Sequence, residues 1–136
     1  MKITGTFIFF LFLIPLQSLY AQSELKVVIA NLESNKGVVI VNLLDKDEKT
    51  VEAKTVKISD NTCTIIFKDL PNGQYGISHI HDENGNGELD TNFIRMPKEG
   101  FGFSNDPKGK MGPPDFEEWL FTVSGDTEIQ ITTRYL

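Results

Sequence analysis

The sequence predicts an all-β protein, a sandwich of two packed sheets with about seven short strands and one long ordered loop. Apolar residues beyond about residue 22 recur with a period of two rather than 3.6, and β-branched residues are abundant in the same stretches. Turn-forming residues separate these stretches at short intervals, which is typical of a β-sandwich. A chain of this size supports one hydrophobic core, so we expect a single domain.

The first four strands are marked by residues that share one face of each run. These residues are Leu25, Val27 and Ile29; Val39, Val41 and Leu43; Lys54, Val56 and Ile58; and Cys63, Ile65 and Phe67. The third run has a polar face, which predicts a strand at the edge of a sheet. Cys63 is in phase with its apolar neighbours and is the single cysteine of the chain, so we interpret it as a small buried hydrophobe.

Three further strands follow in the second half of the chain. Their defining residues are Gln74 to His81; Trp119, Phe121 and Val123; and Ile129, Ile131, Thr133 and Tyr135. Because Trp119 is in phase with two apolar residues, we expect it in the core rather than on the surface as a stacking platform for a sugar.

A short turn motif refines the predicted architecture. The run Leu-Pro-Asn-Gly-Gln-Tyr occupies residues 70–75, where proline presets φ, glycine accepts a positive φ, and the tyrosine can bond back to the upstream backbone. This motif resembles the tyrosine corner of prealbumin-like sandwiches. The resemblance implies an immunoglobulin-like (prealbumin-like) β-sandwich.

The N-terminus predicts export. A lysine at position 2, an apolar run from Phe7 to Ile14 and a small residue at Ala21 are typical of a cleaved signal peptide, so we assign residues 1–21 to it and 22–136 to the domain. The run is shorter than the ~20 residues of a membrane span, which disfavours an anchor in the mature form. We expect a periplasmic or extracellular protein.

The charge of the chain restricts its partners. The net charge is −6, and loss of the lysine in residues 1–21 makes it −7 for the remaining 115 residues. No basic stripe is present, which argues against nucleic acid as a partner and favours cations.

Residues 82–115 form the predicted long loop, which holds six of the eleven glycines and four of the six prolines. Connections of this length are usually functional or disordered. We expect order, because apolar side chains in the loop need burial: Phe93, Ile94, Met96, Phe101 and Phe103. Phe101 and Phe103 are expected to pack onto the sandwich or to face a ligand.

The start of this loop has the spacing of a calcium site. Oxygen-bearing side chains at Asp82, Asn84, Asn86 and Asp90 can converge on a hard cation, with Glu88 as a further candidate and Gly87 at the sharp turn. The twelfth position is Phe93, which excludes an EF-hand. The run resembles calcium loops of adhesin B-type repeats, and this resemblance implies a further ligand from elsewhere, with Glu99 or Glu83 as the candidates.

Two alternatives remain open for these residues. Asp and Asn side chains also bond their own backbone in turns, so the run can be an Asn-Gly turn without a metal. His79 and His81 lie on one face of a strand and could share zinc or copper, or could close the end of the core by bonding loop carbonyls. We expect His81 to orient Asp82 through a hydrogen bond.

Four short runs in and next to the long loop together resemble one protein family. The runs at residues 81–87, 89–92, 97–105 and 113–116 resemble the exported bacterial proteins catalogued as domain of unknown function DUF2141. The resemblance implies an exported single-domain sandwich and no established activity.

The sequence therefore favours a secreted or periplasmic, non-catalytic binding or structural module, stabilised by Ca²⁺, that recognises a protein or glycan through its long loop. The alternative is a metal-dependent hydrolase or metal carrier that uses His79 and His81. The common hydrolase motifs are missing from the sequence, which makes an enzyme the less favoured class.

Overall fold

The computed structural model describes residues 23–108 and 112–136, so the predicted signal peptide at 1–21 lies outside the described residues. No helix among the described residues is long and apolar enough to cross a membrane. The elements in chain order are β1 Ser23–Ala30, β2 Val38–Asp45, β3 Thr50–Lys57, β4 Cys63–Leu70, β5 Gly73–Asp82, β6 Gly100–Phe103, a 3₁₀ helix Phe116–Trp119, β7 Phe121–Val123 and β8 Thr127–Thr132.

The strands form two sheets, which confirms the predicted all-β sandwich. One sheet has the order β4-β1-β8, in which β1 pairs with β8 in parallel and with β4 antiparallel. The other has the order β3-β2-β5-β6, and all its pairs are antiparallel. The short β7 pairs with residues 73–75 of β5, and β6 pairs with residues 78–81. Strands β6 and β7 therefore lie end to end along the same edge of β5.

The core contains the residues that the alternating pattern assigned to it. Leu25, Val27 and Ile29 of β1 are fully buried, and the matching residues of β2, β4 and β5 join them. Each buried aliphatic side chain contributes roughly 1.5–3 kcal/mol relative to exposure. Hydrophobic burial of this face therefore accounts for the packing of one sheet on the other.

Two further predictions about the sandwich are confirmed. β3 is an edge strand with alternating exposed residues. Cys63 is buried, and burial raises the pKa of its thiol to about 11, so the sulfur stays protonated at neutral pH.

The tyrosine corner is also confirmed. The Tyr75 hydroxyl donates a hydrogen bond of 2.7 Å to the main-chain oxygen of Pro71, four residues upstream. This bond fixes the path between β4 and β5 at one end of the sandwich.

The placement of Trp119 in a strand and in the core is wrong. Trp119 ends the 3₁₀ helix and is half-buried on the outer face, where its ring lies 4.4 Å from that of Phe103 and 5.0 Å from that of Phe116. The helix forms because Glu118 accepts a hydrogen bond from the main-chain N–H of Asp115, as in a capping box. This local interaction overrides the period-two pattern that joins Trp119 to Phe121.

The predicted loop at 82–115 contains a strand that the pattern does not show. Within it, β6 alternates glycines on the inner face with Phe101 and Phe103 on the outer face. A side chain at Gly100 would meet the ring of Tyr135 at 2.6 Å, so glycine is needed there for close approach. The main-chain groups of Phe101 and Arg134 bond each other at 3.0 and 2.8 Å, which joins the two sheets along this side.

Candidate functional site

The loop of residues 83–99 begins directly after β5 and is held by a buried carboxylate at its start. Asp82 is 2% exposed and accepts hydrogen bonds from the main-chain N–H groups of Gly85 (2.8 Å), Asn86 (3.2 Å) and Gly87 (2.8 Å). The two glycines have φ values of +75° and +81°, which allow the chain to turn around the carboxylate. Asp82 therefore stabilises the first turn of the loop.

A second buried carboxylate joins the two ends of the loop. Glu99 is 6% exposed, and its two oxygens accept hydrogen bonds from the main-chain N–H groups of Glu83 (3.0 Å) and Asp90 (3.1 Å). The N–H of Lys98 also donates to the main-chain oxygen of Asp90 at 2.8 Å. These bonds close residues 83–90 into a compact unit.

Three of the predicted metal ligands converge on the outer side of this unit. The side-chain amides of Asn84 and Asn86 both donate to the carboxylate of Asp90, the latter at 3.0 Å. The amide oxygen of Asn84 accepts from the Asn86 N–H (3.0 Å), and that of Asn86 accepts from the Glu88 N–H (2.9 Å). In this arrangement the amide oxygens bond the backbone, and their NH₂ groups face Asp90.

Five of the six predicted metal ligands thus lie in one hydrogen-bond network. Glu88 is exposed, and only its main-chain N–H takes part. Within residues 23–108 and 112–136, no group of three His, Cys, Asp or Glu side chains has an arrangement that could hold a metal ion. A hard cation at Asp90 requires rotation of both amides so that their oxygens face it.

Both histidines lie between the two sheets, on the same face of β5 as predicted. His81 is fully buried; its Nε2 donates to the main-chain oxygen of Lys36 (2.8 Å), and its Nδ1 accepts from the Tyr135 hydroxyl (2.7 Å). That hydroxyl accepts in turn from the main-chain N–H of Glu33 (3.0 Å). Both ring nitrogens are occupied, and neither bonds Asp82 as the sequence led us to expect.

His79 is buried with one of its ring nitrogens lacking a partner. Its Nε2 lies 3.0 Å from the Thr133 hydroxyl, whereas Nδ1 has no hydrogen-bond partner among the described residues. Burial, together with the nearby His81, lowers the pKa of His79 to about 3. The ring is therefore neutral in the folded protein at ordinary pH. The sequence placed Thr133 and Tyr135 in a strand, but no local signal indicates that they bond the histidines.

A cleft of about 620 Å³ opens on the outer side of β6. Residues 89–97 form one wall, Phe101 and Phe103 form the floor, and residues 106–107, 112–114 and 132–136 complete the lining. Both phenylalanines are half-buried and pack edge to face, with ring centroids 6.2 Å apart. Phe101 and Phe103, for which the sequence left open packing onto the sandwich or contact with a ligand, therefore line a cavity of the size that small ligands occupy.

A tight turn at residues 91–97 stands at the mouth of the cleft. The Asn92 side chain accepts hydrogen bonds from the N–H groups of Ile94 and Met96, each at 3.0 Å. The turn leaves Phe93 at 97%, Ile94 at 59% and Met96 at 42% exposure. The expectation that these three residues are buried is wrong, because the turn fixes its backbone through polar bonds, leaves Phe93 in solvent and places Ile94 and Met96 on the open cleft.

One family model matches the chain, over residues 27–132. It describes an uncharacterized protein conserved in bacteria, DUF2141. Comparison with curated proteins gave no match, and neither did comparison with solved structures.

Proposed function

This chain belongs to the DUF2141 family of uncharacterized bacterial proteins, and from that premise we propose that it is an exported, non-catalytic binding module. The recognition site is the cleft between the turn at 91–97 and β6. Export is supported by the signal-peptide pattern of residues 1–21. The immunoglobulin-like (prealbumin-like) form of the sandwich is supported by the tyrosine corner at Tyr75.

The observation that carries the proposal is the combination of a cleft floor of two phenylalanines with exposed apolar side chains at its mouth. Monomeric proteins rarely expose such residues together unless they mark a binding surface. The lining is mainly apolar, so it suits an apolar group from a protein or small molecule better than a glycan, which needs many polar partners.

The test is the binding of a neutral apolar fluorescent probe, such as N-phenyl-1-naphthylamine, to the purified protein and two variants. Met96→Asp introduces a charge into the cleft wall and is expected to weaken binding by at least about tenfold, since a carboxylate loses hydration when an apolar ligand covers it. Val51→Asp is the matched control, because Val51 is 46% exposed on β3 and Met96 is 42% exposed.

The control variant is expected to bind the probe as the unaltered protein does. Equal weakening in both variants, or no saturable binding to the unaltered protein, would contradict the proposal. Thermal melting of each variant separates loss of binding from loss of folding.

Calcium is the second part of the proposal, as the ion that stabilises the loop at residues 83–90. The side-chain amides of Asn84 and Asn86 both contact the Asp90 carboxylate, which supports it. Rotation of the two amides would turn their oxygens toward Asp90, at the cost of their bonds to the main-chain N–H groups of Asn86 and Glu88. Asp82 and Glu99 then act mainly as acceptors for main-chain N–H groups and hold the loop in shape.

We expect calcium to raise the melting temperature modestly. With a dissociation constant near 1 mM, as in extracellular sites, about 10 mM calcium stabilises the fold by about 1.4 kcal/mol, or about 5 °C for a domain of this size. Asp90→Asn should abolish the increase, whereas Glu48→Gln, in the exposed β2–β3 turn, should retain it. An unchanged melting temperature across this calcium range would refute the site.

The alternative of a metal-dependent hydrolase or carrier at His79 and His81 gains less support. Both ring nitrogens of His81 are hydrogen-bonded, one to Lys36 and the other to Tyr135, so a metal bound to either nitrogen would break the hydrogen bond made there.

A further inference from the structure

We infer that the cleft binds an apolar chain that ends in a carboxylate, a ligand of the fatty-acid type, and that Arg134 pairs with the carboxylate. This inference rests on the proposed binding function and specifies the chemical class of the ligand. It follows from the apolar floor of the cleft, from the environment of Arg134, and from the main-chain bonding of β6.

The floor and wall provide the apolar part of the site. Phe101 and Phe103 form the floor, and Leu89, Ile94 and Met96 face them from the opposite wall. Covering these side chains with a hydrocarbon removes apolar surface of both partners from water. A flexible methionine in the wall suits a ligand of variable shape.

Arg134 provides the polar part. It is half-buried in the lining, and its Nη2 donates to the main-chain oxygen of Asp106 at 3.1 Å. Among the described residues it forms no ion pair with a carboxylate. A guanidinium has five N–H donors, so the single bond to Asp106 leaves most of them available to a ligand in the cleft.

The carboxylate of the neighbouring Asp106 forms no ion pair with Arg134. The two oxygens of that carboxylate accept hydrogen bonds from the N–H (2.8 Å) and the hydroxyl (2.9 Å) of Thr132. Arg95 is exposed on the facing wall and adds a second positive charge. The charged side chains of the described lining are thus two arginines and Asp106, which leaves their sum positive in a chain with a net charge of −6 and favours an anionic head group.

The bonding of β6 favours a small amphiphile over an extended peptide. A peptide that adds to a sheet needs free main-chain groups at the margin. The N–H and the oxygen of Phe101 already bond the main chain of Arg134. The cleft volume of about 620 Å³ also lies in the range of small-molecule sites.

The experiment compares three ligands with the same chain and different ends: decanoate, 1-decanol and decyltrimethylammonium. The affinity of each ligand is measured at neutral pH from its displacement of the neutral probe from the purified protein. Decanoate is expected to bind at least about tenfold more tightly than decanol, and the cation more weakly than either. Arg134→Gln should remove the preference, so that decanoate binds no more tightly than decanol to this variant. Lys68→Gln, which removes one positive charge from the exposed side of β4, should keep the preference.

The outcomes separate this inference from the proposed function. Equal affinity for decanoate and decanol would overturn the role of Arg134 while leaving the cleft as a binding site. Tighter binding of a short apolar peptide with a free C-terminal carboxylate than of decanoate would overturn the ligand class. Failure of every ligand, including the probe, would overturn the proposed function itself.

Discussion

Replacement of Gly37 by alanine is expected to destabilise the protein by at least about 3 kcal/mol, a large part of the stability of a small domain. Gly37 has a φ of +68°, and a Cβ there would collide with the main-chain oxygen of Asp82 and lie 2.7 Å from the Cα of Glu83. These atoms are backbone, so no side-chain rotation relieves the contact. The residue also lies between Lys36, whose oxygen bonds His81, and Val38, which pairs with Asp82.

Gly125→Ala is the matched control for this prediction. Gly125 has a φ of +76°, and a Cβ there would meet nothing within 4 Å. The variant should therefore lose only about 1–2 kcal/mol of stability, the cost of placing an alanine in the left-handed backbone conformation. Urea unfolding of both variants gives the comparison, and equal destabilisation would show that the close approach at Asp82 does not contribute.

Acid is expected to destabilise the protein through His79. This histidine is neutral in the fold, where its pKa is about 3, and takes up a proton on unfolding below its ordinary pKa of 6.5. The contribution of the neutral His79 ring to the free energy of unfolding is therefore fully present above pH 6.5 and is lost as the pH falls toward 3. The full loss is on the order of 4–5 kcal/mol, from about 1.4 kcal/mol for each pH unit.

The measurement is the free energy of unfolding from pH 7 to pH 4 for the unaltered protein and for His79→Leu. Titration of the carboxylates is common to both proteins and cancels in the difference between them. That difference should change by about 1.4 kcal/mol per pH unit below pH 6. Ile77→Val, on the same face of β5, should keep the pH dependence of the unaltered protein. Parallel curves for His79→Leu would contradict the assignment.

The strands of the sandwich core were predictable because burial on one face imposes alternation on the sequence. Leu25, Val27 and Ile29 show this pattern without interruption, and all three are buried. β6 was not predictable, since a Gly-Phe-Gly-Phe run lacks the usual composition of a strand. It is a strand through its pairing with β5, and its glycines are needed because Tyr135 and His79 occupy the space that inner side chains would take.

The candidate site was predictable in its position but not in its chemistry. Asp82 and Glu99 are acidic residues in a glycine-rich loop, and their oxygens can bond either a cation or main-chain N–H groups. Only the folded geometry shows the five N–H groups that they accept. Arg134 belongs to no motif, and its place in the cleft follows from the pairing of Phe101 with the chain after β8.

Strands β6 and β7 pair with successive parts of β5, and this arrangement allows the connecting residues 107–114 to vary. The hydroxyl of Ser104 bonds the main-chain oxygen of Trp119, and the Asn105 amide bonds those of Glu118 (3.1 Å) and Leu120 (2.9 Å). These hydrogen bonds hold the two ends of the segment next to each other and do not involve the residues between them. Because lengthening a closed loop costs little free energy, evolution or a protein engineer can vary this segment, and with it part of the cleft lining, while the sandwich stays intact.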